Sequence, residues 1–251
     1  GKFGLGTGVY TVTPIAWDTN ITLEGKNLNY TYKNLVIPDL NLFANIGSYV
    51  LKNENLVVPT TSAAANGGYQ NAYLEVQQLG FQYKFLKDYS VDLAYAQYSV
   101  PAYDNANYTG IRYDDGKPIN EINAKIGANL AVPYFEKVAL LYDDFTNPNI
   151  DAKNNKASAY GVEFGAKIGL PYLKDYSLKY LDRKLESNIG WAFVDDAHNQ
   201  ANTKGYQVAL TLGLVDNVSF TLDHYAFKAF DKNDLIDSEI DKLDTTSTRV
   251  E

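Results

Sequence analysis

Hydrophobic and polar residues alternate along most of the chain, and the alternation is clearest over residues 205–227. From Tyr206 to Leu214 every second side chain is apolar, and small or polar residues lie between them. The segment Val215-Asp216-Asn217 interrupts this pattern, which resumes at Val218. A period of two is typical of a β-strand whose two faces meet different surroundings. The pattern therefore predicts a β-hairpin with one apolar face and one polar face.

Similar alternation recurs in about twelve segments of the chain. They are residues 2–13, 25–34, 40–51, 71–86, 89–100, 121–132, 137–145, 159–170, 176–194, 205–215, 217–228 and 246–251. Segment 176–194 changes parity halfway, which predicts a bulge near 181–184. Short turns alternate with long polar loops, a rhythm typical of bacterial outer-membrane barrels. The fold predicted is all-β, a transmembrane antiparallel meander β-barrel.

Both ends of the sequence read as the middle of a strand, at GKFGLGTGVYTV and at Arg249-Val250-Glu251. We therefore expect residues 1–251 to form a single outer-membrane β-barrel domain that is incomplete at both ends. About twelve strands would then belong to a barrel of about 16 strands. A closed barrel of about twelve strands is the alternative. The long loops at 51–70 and 101–119 could fold inward and constrict such a barrel.

Composition removes several classes of protein. No run of 18 apolar residues occurs, although 45% of residues are hydrophobic, which excludes a transmembrane helix. The absence of cysteine excludes disulfides, iron–sulfur clusters and thiolate zinc sites. The net charge of −8 argues against nucleic-acid binding. The 21 tyrosines suit the aromatic girdles of a membrane barrel, and a soluble tyrosine-rich β-protein is the alternative.

The sequence offers little for catalysis, and the prediction is a protein that is neither an enzyme nor dependent on a cofactor or metal. It has two histidines, His198 and His224, and no G-x-S-x-G motif. Asp223 and His224 are adjacent in a predicted strand, so their side chains point to opposite faces. No predicted helix follows the alternating glycines, which argues against dinucleotide binding.

Three acidic pairs are candidate calcium ligands: Asp114-Asp115, Asp143-Asp144 and Asp195-Asp196. None has the spacing of a calcium-binding loop. The simpler interpretation is solvated charge in loops, where it would attract cations to the mouth of a pore.

Charged residues on the polar faces of the strands are the candidate functional residues. By parity, five of them face the lumen of the predicted barrel: Lys84, Asp92, Lys125, Glu163 and Lys167. A pore selects ions by the charges that line its narrowest part, and a set of mixed sign suits a transverse field across a constriction. The alternative is that scattered charges merely hydrate the wall.

Three stretches carry motifs in a fixed order. They are Trp17-Asp18-Thr19-Asn20 through Leu23-Glu24-Gly25 to Leu42-Phe43-Ala44-Asn45-Ile46-Gly47, then Tyr176-Ser177-Leu178-Lys179-Tyr180 through Arg183-Lys184-Leu185-Glu186 to Phe193-Val194-Asp195-Asp196, and Lys204-Gly205-Tyr206 to Asp216-Asn217-Val218. Together they resemble a bacterial porin family whose outer-membrane barrels often follow an N-terminal coiled-coil region. The resemblance implies that Arg183, Glu186 and Arg249 also face the lumen.

The function predicted is that of an outer-membrane porin of a Gram-negative-type bacterium, through which small polar solutes or ions diffuse passively. The expected partners are membrane lipid, lipopolysaccharide and the permeating solutes, and a homotrimer is expected from the resemblance alone. One alternative is a structural barrel that anchors the outer membrane to the cell wall or holds a surface partner. A soluble tyrosine-rich β-sandwich on the cell surface is the other. The sequence leaves the solute open.

Overall fold

The computed structural model describes residues 9–13, 24–51, 72–99, 117–148, 154–186, 189, 202–231 and 245–250. Within these residues every regular element is a β-strand. The strands are β1 (Glu24–Tyr32), β2 (Leu40–Leu51), β3 (Ala72–Phe85), β4 (Tyr89–Ser99), β5 (Ile119–Val132), β6 (Phe135–Thr146), β7 (Lys156–Leu170), β8 (Leu173–Leu185), β9 (Thr203–Val215), β10 (Val218–Ala229) and β11 (Thr245–Val250).

The strands form one 11-stranded sheet in which each pairs with the next strand of the chain. All of these pairings are antiparallel, so the predicted all-β antiparallel meander is confirmed. β1 and β11 are the two edges, and they do not pair with each other among the described residues. The sheet as described is therefore open.

Two local predictions are wrong. Residues 9–13 belong to no strand, although a strand was predicted over 2–13, because they hydrogen-bond to side chains on one face of the sheet; residues 2–8 lie outside the described residues. The bulge predicted near 181–184 is absent, since β8 keeps one register with β9 from Asp175 to Leu185. The parity changes within a regular strand because Leu178 and Tyr180 lie on the exposed face of β8, whereas Leu181 and Leu185 are buried on the opposite face.

The sheet has two distinct ends. Tight turns at residues 33–39, 86–88, 133–134, 171–172 and 216–217 all lie at one end, called here the turn end. The opposite end, where β2 ends and β3 begins, is called the loop end. The turn after β9 shows why the chain reverses there: Asn217 has φ 62°, and asparagine tolerates this left-handed conformation. Lys174 also forms an ion pair with Asp216 across this turn end.

The two faces of the sheet differ sharply in exposure. Leu79 is 63% exposed, whereas its neighbour Gln78 is 4% exposed. The face of Leu79, called the outer face, carries exposed apolar and aromatic side chains on successive strands: Leu28, Tyr30, Ile46, Leu79, Leu93, Tyr95, Ile122, Ile126, Leu140, Tyr142, Tyr160, Leu178, Tyr180 and Tyr206. The face of Gln78, called the inner face, buries polar side chains: Asn45, Gln78, Glu121, Asn123, Asp143, Arg183 and Gln207.

The sheet curls toward its inner face. The ring of Tyr10 packs 5.4 Å from that of Phe43 on β2, and the carbonyl oxygen of Val12 accepts a hydrogen bond from Lys179 on β8. In a flat sheet β2 and β8 would lie about 29 Å apart. Residues 10–12 extend over only about 7 Å. One segment this short contacts β2 through the Tyr10 ring and β8 through the Val12 carbonyl, which indicates that the sheet is curved toward its inner face.

Candidate functional site

The inner face is the candidate site because it encloses most of the predicted charged residues. Lys125 on β5 and Glu163 on β7 form an ion pair of 3.2 Å that reaches across the intervening strand β6. Both side chains are about one-third exposed, so solvent screens this pair and it contributes little to stability. The ion pair nevertheless places a positive and a negative charge side by side in the middle of the inner face.

Residues 9–13, called here the inner segment, lie against the polar middle of this face. The amide of Tyr10 donates to Gln78 Oε1 at 2.9 Å, and Gln78 Nε2 donates back to the Tyr10 carbonyl at 2.8 Å. Asn123 Nδ2 donates to the same carbonyl at 3.3 Å. The Tyr10 hydroxyl donates to Asp92 Oδ2 at 2.7 Å. Burial and this bond raise the pKa of the Tyr10 hydroxyl, so it remains a donor.

The second half of the inner segment is held as firmly. The Thr13 hydroxyl donates to Asp143 Oδ2 at 2.6 Å, and both residues are buried. Lys179 Nζ donates to the carbonyl of Val12 at 3.4 Å. The Val12 side chain packs against an apolar cluster that includes Leu181. Side chains of β3, β4, β5, β6 and β8 therefore hold a piece of backbone that lies outside the strands. Their hydrogen bonds take the place of water that would otherwise solvate it.

On the loop-end side of the inner segment, the inner face is closely packed around buried charge. Glu121 is fully buried and accepts hydrogen bonds from the Tyr98 hydroxyl and from Asn123 Nδ2. The Tyr98 ring also lies 6.2 Å from the ring of Phe145, across β5. Because buried carboxylates are costly unless they are hydrogen-bonded, these donors are what allow Glu121 to remain here.

Within the part of the chain that the structure describes, Arg183 is the largest fully buried side chain, and it also lies near the loop end. Its guanidinium carbon is 4.6 Å from the centroid of the Phe227 ring and 6.0 Å from that of Tyr225. Gly205 on the strand between them leaves room for this contact, since a Cβ there would come within 2.7 Å of the Phe227 ring. A cation–π contact sheltered from water contributes about 2 kcal/mol.

On the turn-end side of the inner segment, the inner face opens into a cavity of about 500 Å³, called here the turn-end cavity. Its wall is formed by β3 to β8 and includes the hydroxyl residues Ser90 and Ser177. The charged residues that line it are Lys84, Lys87, Asp88, Lys125, Lys137, Glu163, Lys167 and Asp175. The inner segment thus lies between a polar, open space and a packed, buried layer.

The structure brings four of the predicted site residues together and separates the rest. Lys84, Lys125, Glu163 and Lys167 all line the turn-end cavity. Asp92 lies deeper, on β4 against the inner segment, where it accepts the hydrogen bond from Tyr10.

The three residues taken from the family resemblance lie apart from that cavity. Arg183 is buried near the loop end. Glu186 follows the end of β8, where it forms an ion pair of 2.7 Å with Lys184 and accepts from the Lys156 amide at 3.0 Å. The backbone of Arg249 pairs with that of Asp223, and its side chain lies outside the described part of the chain.

Sequence reasoning missed three charged residues of the inner face, Glu121, Asp143 and Lys179. Asp143 was interpreted as solvated loop charge, which is wrong: it lies within β6, fully buried on the inner face and bonded to Thr13. Glu121 and Lys179 were not selected, although both occupy inner-face positions of their strands. The signal that could have found all three is the parity already used for Lys125 and Glu163.

The remaining candidates give no second site. His224 contacts Thr248 at 3.0 Å and the Tyr206 ring on the outer face, whereas Asp223 accepts from Gln207 on the inner face. The described residues contain no cluster of three potential metal ligands. His198, both remaining acidic pairs and the loops 52–71 and 100–116 lie outside the described residues.

In the described part of the chain, no helix is long and apolar enough to cross a membrane. Comparison with known proteins found no matching family model, no matching curated protein and no matching solved structure. The resemblance to the bacterial porin family therefore stays a prediction from its three motifs.

Proposed function

We propose that this sheet is the wall of a bacterial outer-membrane β-barrel, a porin through which small polar solutes or ions diffuse passively. Lipid would contact the outer face, and water and solute would occupy the space that the inner face surrounds. The observation that carries the proposal is the inverted arrangement of side chains. Leu79 and its apolar neighbours are exposed, while Glu121, Asp143 and Arg183 are buried.

A protein surrounded by water gains stability by the opposite arrangement. Burying one leucine or isoleucine side chain contributes about 1.5–3 kcal/mol, and the outer face forgoes this gain on strand after strand. Exposed apolar patches of soluble monomers seldom exceed about 600 Å². In a lipid bilayer the exposed apolar side chains of the outer face contact apolar lipid chains, so they are not exposed to water. This argument also disfavours a soluble tyrosine-rich sandwich.

The strand lengths suit a membrane. From β2 to β10 the strands have 11 to 15 residues. A tilted strand of about 9–11 residues crosses the apolar part of a bilayer. A complete wall also needs partners for the edges β1 and β11, because an unpaired edge is unstable in lipid. They would pair with each other in a small barrel, or with further strands in a barrel of about 16.

Planar-bilayer recording tests the proposal. Protein refolded into detergent and added to a lipid bilayer is expected to produce stepwise conductance increases of one unit size. The same protein heated to unfolding before addition is the control. A folded, membrane-inserted protein that leaves every bilayer silent would contradict the porin function. Chemical crosslinking of the refolded protein separately tests whether the expected homotrimer forms.

The inner segment favours a second candidate, a structural barrel whose lumen is occluded. Tyr10 and Thr13 hold backbone across the polar middle of the inner face, where a pore would be open. Such a barrel would anchor the outer membrane to the cell wall or hold a surface partner. Conductance of a variant carrying Tyr10→Phe and Thr13→Ala separates the candidates. If neither the unaltered protein nor the variant conducts, the structural role is favoured. Conductance by the unaltered protein excludes the structural role.

A further inference from the structure

The turn-end cavity has a charge opposite to that of the whole chain. Five lysines and three carboxylates line it, whereas the chain has 22 basic and 30 acidic residues. The lysines are Lys84, Lys87, Lys125, Lys137 and Lys167. Scattered wall charges would follow the acidic composition of the chain. The local excess of ammonium groups therefore marks this cavity as a place that attracts anions.

Most of this positive charge has no carboxylate partner within the described residues. Lys125 is paired with Glu163. Among the described residues, the other four lysines of the cavity form no ion pair within 4.0 Å. The three carboxylates reduce this excess without cancelling it: Asp175 lies directly opposite Lys167 in the sheet, and five ammonium groups still outnumber three carboxylates around the cavity. Ammonium groups grouped around a space and lacking partners are available to a bound anion.

The remaining lining supplies room and hydrogen bonds. Gly127 and Gly165 leave space above the wall, and a Cβ at Gly127 would come within 2.8 Å of the Ser90 hydroxyl. Ser90 and Ser177 can donate to an anionic oxygen. The volume of about 500 Å³ lies in the range of pockets for small molecules rather than single ions.

We propose that the turn-end cavity binds small multivalent anions, organic phosphates or polycarboxylates, with Lys84 and Lys167 among its main contacts. The proposal deepens the porin function, on which its role in selecting solutes rests. Binding itself needs only the folded wall, so it can be measured whether or not the protein conducts. The inner segment lies farther toward the loop end, so an anion bound in the cavity would remain at the turn end.

Isothermal titration calorimetry with inorganic pyrophosphate tests this site on the full chain refolded in a neutral detergent, which supplies no competing anionic headgroup. Pyrophosphate is expected to bind the unaltered protein. The double variant Lys84→Gln and Lys167→Gln should bind about 10- to 25-fold more weakly, at about three- to fivefold for each lysine removed. Lys26→Gln, a lysine of β1 away from the cavity, is the matched control and should bind like the unaltered protein.

Three results would overturn the proposal: no binding by the unaltered protein, equal binding by the double variant, or an equal loss in the Lys26→Gln control. Far-UV circular dichroism of each variant, matched to that of the unaltered protein, establishes that the sheet is intact. Pyrophosphate binding by a protein that never conducts would contradict the porin function but support the anion site. Conductance by a protein that does not bind pyrophosphate would support the porin function but contradict the anion site.

Discussion

The substitution Leu79→Arg separates a lipid-facing wall from a water-facing one. Leu79 is the eighth of the 14 residues of β3 and is 63% exposed on the outer face. Its cross-strand neighbours are Ala44 and Tyr95, so no carboxylate lies directly opposite to receive the new charge. The strand is about 48 Å long. At a tilt of about 40° it rises about 37 Å, more than the apolar band of about 25 Å, and Leu79 lies near its middle.

At this depth an arginine facing lipid costs about 2–4 kcal/mol, which lowers the folding equilibrium constant about 30- to 700-fold. Tyr172→Arg is the matched control, because Tyr172 is 81% exposed in a tight turn and its replacement should cost about 0–1 kcal/mol. Urea titration of both variants refolded into liposomes, followed by tryptophan fluorescence, measures the difference. An exposed leucine facing water would tolerate arginine within about 0.5 kcal/mol. Equal stability of the two variants would refute the lipid-facing assignment.

Three further substitutions test the inner face by the same urea titration. Thr13→Ala should lower the free energy of unfolding by about 1–3 kcal/mol, because it removes the hydroxyl that donates to buried Asp143. Thr13→Ser should restore most of that stability. An unchanged stability of Thr13→Ala would show that this hydrogen bond does not hold the inner segment. Arg183→Ala should cost at least about 2 kcal/mol, because it removes the cation–π contact with the Phe227 ring. Arg183→Lys should recover only part of this loss, since lysine lacks the planar group over the ring, and full recovery would contradict that contact. Gly80→Val should lower the free energy of unfolding by about 1–3 kcal/mol, because a Cβ there would lie within 2.8 Å of the Phe43 ring. An unchanged urea midpoint would show that Gly80 and the Phe43 ring do not pack together.

Local alternation carried most of the fold. The hairpin of β9 and β10 was predicted to within a few residues, because its two faces differ at every position and Asp216-Asn217 is a strong turn signal. Parity likewise brought Lys84, Lys125, Glu163 and Lys167 to one face, where they line one cavity.

Alternation could not reveal contacts between distant parts of the chain. Residues 9–13 alternate like a strand, but their partners are side chains up to 167 positions away, as between Val12 and Lys179. The burial of Asp143 depends on the curvature of the sheet and on Thr13, neither of which a local pattern encodes. The parity change within β8 does not mark a bulge, because Leu181 and Leu185 are apolar residues buried on the inner face near the loop end.

Spin-label accessibility tests the central claim, that the outer face meets lipid and the inner face meets water. The chain has no cysteine, so Leu79→Cys and Ser177→Cys each give one site for a nitroxide label. With the protein refolded into liposomes, the label at position 79 should collide mainly with dissolved oxygen, which concentrates in lipid. The label at position 177, in the turn-end cavity, should collide mainly with a water-soluble nickel chelate. A label at position 79 as accessible to nickel as that at position 177 would contradict the account.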